Sequence, residues 1–88
     1  MATLRVRIPG ALRSYTDAAE VTARGDTLSA MFADLDARFP GLRFRVVDER
    51  GLLRANMRLF VNGQGVRDLG FALKDHDEVA VVLALSGG

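Results

Sequence analysis

Only one stretch of this chain repeats its apolar residues at helical spacing, and segments that alternate every second residue flank it on both sides. Leu28, Met31, Phe32, Leu35 and Phe39 recur at steps of three and four, while Asp34, Asp36 and Arg38 fall on the opposite face. This spacing predicts one amphipathic helix from Leu28 to Phe39. Asp26 or Thr27 can accept the unpaired N–H groups of its first turn, and Pro40-Gly41 forbids its continuation. One helix has one stripe to bury, so the flanking strands should form a single sheet with one face against it.

The strands follow from period-two patterning. Thr3 to Ile8 puts Leu4, Val6 and Ile8 on one side and Arg5 and Arg7 on the other, and Pro9-Gly10 ends it. A weaker return strand is predicted from Tyr15 to Val21, with Gly25 and Asp26 closing the hairpin. Leu42 to Ala55 follows neither period and reads as mostly irregular, with a turn at Asp48-Glu49-Arg50-Gly51. Met57 to Val61 alternates again, and Asn62-Gly63 is a tight-turn signal because both residues tolerate positive φ. Val66 to Leu69 is expected as a short edge strand, and Asp75-His76-Asp77 turns the chain into an apolar strand from Val79 to Leu85. In the order hairpin, helix, two or three strands, the first and last strands fall side by side at the centre as a parallel pair. This is an α+β, β-grasp layout, a mixed sheet packed on one main helix. The helix is expected to cover Leu4, Val6, Ile8, Val79, Val81 and Leu83, each contributing roughly 1.5–3 kcal/mol when removed from water.

Composition narrows the function. A chain of 88 residues, 49% of them hydrophobic and 26% charged, is expected to fold as one domain over residues 1–85, with residues 86–88 as a flexible tail. It has no cysteine and one histidine, which argues against a disulfide staple or an ordinary zinc site. A net charge of +1 is a poor basis for binding nucleic acid. Lys74 is the only lysine among the basic residues, a bias ascribed to base composition. Residues 1–10 lack the apolar core of a signal peptide and no run reaches the length of a membrane span, so a cytoplasmic protein is expected. Asp75, Asp77 and Glu78 read as a solvated turn rather than a cation site. His76, Ser14 and Ser86 have no partner at a catalytic spacing, and no phosphate-binding glycine loop is present. No bound cofactor is therefore expected, and any ATP chemistry belongs to a partner.

Four motifs carry a resemblance over nearly the whole chain: Gly25-Asp26-Thr27-Leu28 opening the helix, Leu59-Phe60-Val61-Asn62-Gly63 at the middle strand, Asp75-His76-Asp77-Glu78-Val79 leading into the last strand, and Gly87-Gly88. Together they resemble the ubiquitin-like sulfur carriers, among them the small subunit of molybdopterin synthase, the thiamine-pathway carrier and a carrier of a cysteine-synthesis route. Two positions depart from that pattern: His76 stands where the family usually has glycine, and Leu83 lies near a frequent proline, leaving one more N–H able to pair. The resemblance implies that the protein is no enzyme by itself. An adenylyltransferase resembling ubiquitin-activating enzymes would use ATP on the Gly88 carboxylate, and a sulfur donor would convert the adenylate to a thiocarboxylate. A downstream sulfur-accepting enzyme or a synthase large subunit would then receive the sulfur. Glycine at positions 87 and 88 suits passage through a narrow channel, and Leu85 to Gly88 can reach roughly 13–14 Å. Two other readings share this sequence: a protein modifier conjugated through Gly88, and a noncovalent β-grasp interaction module.

A partner surface is expected as well. Alternation places Arg5, Arg7, Arg58, Phe60, Ala80, Val82 and Ala84 on the sheet face away from the helix, with Leu85 continuing toward the tail. Phe60 and Val82 would form an apolar centre inside a rim of arginines.

Overall fold

The computed structural model describes residues 1–84. The chain runs through strand β1 (Thr3–Arg7), a single 3₁₀ turn (Gly10–Leu12), helix α1 (Arg13–Thr16), β2 (Glu20–Arg24), α2 (Leu28–Arg38), α3 (Leu42–Val46), β3 (Met57–Val61), β4 (Gln64–Val66) and β5 (Glu78–Leu83). The five strands form one mixed sheet in the order β2-β1-β5-β3-β4. β1 and β5 are the parallel central pair, with Val6 opposite Val79, and β2 and β3 flank them antiparallel.

One face of the sheet and the α2 stripe make a single core. Leu28, Met31, Phe32 and Leu35 of α2 are buried together with Leu4, Val6, Leu59, Val79 and Val81, and Leu83 packs half-buried at its margin. The N-terminus of α2 is satisfied from three sources. The Thr27 hydroxyl accepts the Ala30 N–H at 3.1 Å, whereas Leu28 and Ser29 donate to the carbonyls of Phe71 and Leu69 at 3.2 and 2.8 Å. Asp26 serves elsewhere: its carboxylate accepts the Ala2 N–H at 3.0 Å and its carbonyl the Leu73 N–H at 2.8 Å. Asp34 and Arg38 are not a freely solvated face either. Asp34 accepts the Arg24 N–H at 3.0 Å and Arg38 donates to the Thr22 carbonyl, so both tie the helix to the β2 edge.

Four boundaries differ from the patterning. The return strand is Glu20–Arg24 and not Tyr15–Val21, because Arg13–Thr16 first makes a helical turn that Asp17 closes at φ 55°. Only then does Val21 meet Val6 and Ala23 meet Leu4. Leu42–Val46 is a short helix, with Leu42 and Val46 buried, in a segment expected to be mostly irregular. Gly41 at φ 93° and the Asp36 carboxylate, which accepts the Gly41 and Arg43 N–H groups at 3.0 and 3.2 Å, start it. The edge strand is Gln64–Val66 rather than Val66–Leu69, since the two-residue Asn62-Gly63 turn, at φ 50° and 87°, pairs Val61 directly with Gln64. β5 begins one residue early, at Glu78, and is assigned through Leu83; Leu85, the expected end of that strand, lies outside the described residues.

Gly25 sets how closely α2 approaches the sheet. A Cβ there would lie 2.6 Å from the Met31 nitrogen and 2.9 Å from the Ala30 carbonyl carbon, both backbone atoms that cannot turn aside. Gly25→Ala is therefore expected to destabilise the fold by about 1–3 kcal/mol. Gly10→Ala, where a Cβ meets nothing within 4 Å, should change stability by less than about 0.5 kcal/mol. Urea unfolding of the two variants checks the difference.

Candidate functional site

The sheet face opposite α2 is uncovered, and cross-strand register fixes what stands on it. Arg7, Ala80, Phe60 and Gly65 fall in one row across β1, β5, β3 and β4, and Val82 and Arg58 form the next. The Phe60 ring rests half-buried on the open face beside Gly65, 3.7 Å from where a side chain there would begin, an ordinary contact distance. Val82 is 40% exposed. Arg7, Phe60, Ala80, Val82 and Leu83 line a shallow hollow on this face.

The expected arginine rim is divided. Arg7 borders the hollow, whereas Arg5 lies outside its lining and forms a 3.5 Å ion pair with Glu78 at its edge, an attraction that water largely screens. Arg58 turns back on its own chain, donating to the carbonyls of Ala55 and Met57 at 2.8 and 2.9 Å. Half-buried Ala84 follows the end of β5, and its N–H donates to the Asn56 carbonyl at 2.8 Å, so pairing with the β3 side runs one residue past the assigned strand. The remaining expected site residues, Leu85, Gly87 and Gly88, lie outside the described residues.

The loop entering β5 is a clasp. The Asn62 amide donates to Asp77 at 2.9 Å while its side-chain oxygen accepts the Glu78 N–H at 3.0 Å, joining the β3–β4 turn to the start of β5. Asp75 accepts the Thr3 N–H at 2.7 Å, and His76 donates its N–H to the Thr3 carbonyl at 2.8 Å. The side chain of His76 is exposed on a backbone at φ 70°. Asn62-Gly63 is readable as a turn, but the bridging by Asn62 depends on a contact 15 residues away that local patterning does not encode.

A five-stranded mixed sheet with its last strand at the centre, one helix on one face and an apolar hollow on the other, defines a ubiquitin-like β-grasp domain. The chain belongs to the ThiS family, a family of ubiquitin-like sulfur carriers that it matches over residues 6–88. It is 37% identical over 89 residues to the sulfur carrier protein CysO of Mycobacterium tuberculosis, covering 94% of this chain and 96% of that one. The crystal structure of M. tuberculosis CysO matches with a TM-score of 0.89 at 35% identity, over 93% of this chain and 99% of the other. A chain of the Amycolatopsis orientalis BexX/CysO complex gives 0.89 at 31% identity, over 97% and 99%. Small archaeal modifier protein 1 of Methanosarcina acetivorans gives 0.84 at 26% identity, over 100% and 98%.

Two outcomes follow from the clasp. His76 occupies a left-handed conformation that glycine adopts without strain, so His76→Gly should raise stability by about 0.5–1 kcal/mol, read as a higher Tm. The Lys74 N–H, and after it the Asn62 amide, hold the Asp77 carboxyl below the usual carboxylate range. A lowered folded value favours folding above the unfolded pKa of about 3.9 and is lost as pH falls through the folded one. Asp77→Asn should therefore flatten the loss of stability below about pH 4, as measured by urea unfolding across a pH series.

Proposed function

We propose that the protein is a sulfur carrier whose working group is the carboxylate of Gly88, and that it acts with partner enzymes rather than as a catalyst itself. The observation that carries this reading is the reach of the ThiS-family match: it extends through residue 88, so Gly87-Gly88 falls inside the matched region. The name of the 37% identical relative, a sulfur carrier protein, supports the same role.

The chemistry explains the division of labour. A terminal carboxylate with pKa around 3.3–3.7 is ionised at neutral pH and resists attack by sulfur. On a partner adenylyltransferase its oxygen attacks the α-phosphorus of ATP and pyrophosphate leaves. Hydrosulfide delivered by the donor then adds to the acyl carbon, AMP departs and the S–H proton is lost, leaving a thiocarboxylate on Gly88. The sulfur passes to a downstream enzyme or synthase large subunit, in cofactor or cysteine biosynthesis. ATP is consumed on the partner, which puts the reaction in the cytoplasm. Phe60 and Val82, with Ala84, Leu85 and the flanking Arg5, Arg7 and Arg58, make the docking face for these proteins. The solved BexX/CysO complex of A. orientalis supports docking onto a protein partner.

A second reading, conjugation to other proteins through Gly88, is favoured by the 26% identity to small archaeal modifier protein 1. Both readings begin with the same activation and separate in the product. Protein isolated from its native cell should carry the mass change of one oxygen replaced by sulfur at its C-terminus, whereas a modifier would appear as heavier adducts. Deleting Gly87-Gly88 should abolish the thiocarboxylate and leave the melting temperature unchanged. A truncated chain that still supports the cellular process overturns the proposal.

A further inference from the structure

A second opening lies beside the end of β5 and adjoins the Phe60 hollow at Ala11 and Leu83. Leu12, Phe44, Arg45, Arg54, Met57 and Leu83 line a cleft of about 290 Å³ between the loop after β1, helix α3 and the start of β3. Its floor is apolar, for Leu12 and Met57 belong to the core and Leu83 is half-buried at its edge. Its wall is Phe44, an aromatic side chain 58% exposed.

The two arginines are held in place by rings. The Arg54 guanidinium stacks 4.4 Å over Phe44 while its Nε donates to the Phe44 carbonyl at 2.7 Å. The Arg45 guanidinium sits 5.9 Å over the Tyr15 ring and donates to its hydroxyl at 3.4 Å. Neither enters an ion pair among the described residues; the pairs there are Arg5–Glu78, Arg38–Asp34 and Arg50–Asp48. Among the described residues, no carboxylate lines the cleft. Two positioned cations over an apolar floor complement a bulky apolar side chain with a carboxylate beside it, and holding the guanidinium groups in advance reduces the entropy lost on binding.

Position says which protein brings that segment. Asn56 lines the cleft, and its carbonyl accepts the N–H of Ala84, the last described residue. The four residues beyond reach at most about 13–14 Å, so an enzyme that encloses the terminal carboxylate must bring its rim within that distance of Ala84, beside this cleft. The first enzyme that must do so is the adenylyltransferase, because the free carboxylate is inert to sulfur. Resting on the carrier reading above, we propose that the Arg45–Arg54 cleft is a second docking point, which receives an acidic segment with a bulky apolar side chain from the adenylyltransferase.

ATP–pyrophosphate exchange by the cognate adenylyltransferase, with the full-length chain as substrate, tests this. Arg45→Glu and Arg54→Glu should each raise KM for the carrier about tenfold with kcat unchanged, and added salt should raise KM more steeply for the wild type than for the double variant. Arg67→Glu, the same charge change at an exposed site outside this cleft, should stay within about twofold. Arg54→Glu also loses the bond to Phe44, so if it melts early, the exposed Arg45→Glu decides the matter. A KM for Arg45→Glu equal to that of Arg67→Glu overturns the proposal. So does a lowered KM, which would mean that the chain's own terminal carboxylate occupies the cleft. The carrier reading fails separately, if the chain lacking Gly87-Gly88 still supports exchange.

Discussion

The burial of one helical stripe on the central strand pair is the constraint from which the remaining architecture follows. Leu28, Met31, Phe32 and Leu35 can leave water together only if α2 lies across β1 and β5, and those strands can be parallel neighbours only if the whole of the intervening chain serves as their connection. Gly25 permits the close approach. The carbonyls of Leu69 and Phe71 then complete the helix N-terminus from a loop 40 and 43 positions away from the Ser29 and Leu28 donors. α2, with α3 packed beside it, occupies one face, and the far side of the sheet is left uncovered.

The motifs that carry the resemblance, apart from the terminal glycines and the β3 residues Leu59-Phe60-Val61, lie at corners of the fold. Thr27 and Gly25 open α2, Asn62 and Gly63 turn β3 into β4, and Asp75 and Asp77 fasten the start of β5 to the N-terminal strand and to Asn62. Each satisfies backbone groups that would otherwise be left unpaired at a junction. Family likeness in this body therefore records how the strands are joined. His76 fits the same account. Its positive φ shows the geometric reason for glycine at that place, and its exposure shows why an imidazole is tolerated there.

Legibility in the sequence tracks the range of the forces involved. The α2 stripe, Met57–Val61 and the central pair are readable because burial of one face imposes a strict period. The open-face positions of Phe60 and Val82 follow from the same alternation. β2 is not readable, because Val21 and Ala23 give a faint pattern and Asp17 delays the strand with a left-handed residue. The helix at Leu42–Val46 depends on capping by Asp36, a residue that reads as part of the solvated side of α2. The backward turn of Arg58 onto carbonyls and the stacking of Arg54 on Phe44 are specific side-chain geometries with no periodic signature.

β5 lies between β1 and β3, paired with the first over Arg5–Arg7 and with the second over Met57–Val61. A strand at the margin of a sheet can be peeled off one hydrogen bond at a time by a pull on its end. A strand flanked on both sides must slide past two neighbours at once, so the load is shared across both ladders in shear. A pull on the C-terminal end of β5 therefore loads an element held on both sides, and the body should resist it without unravelling.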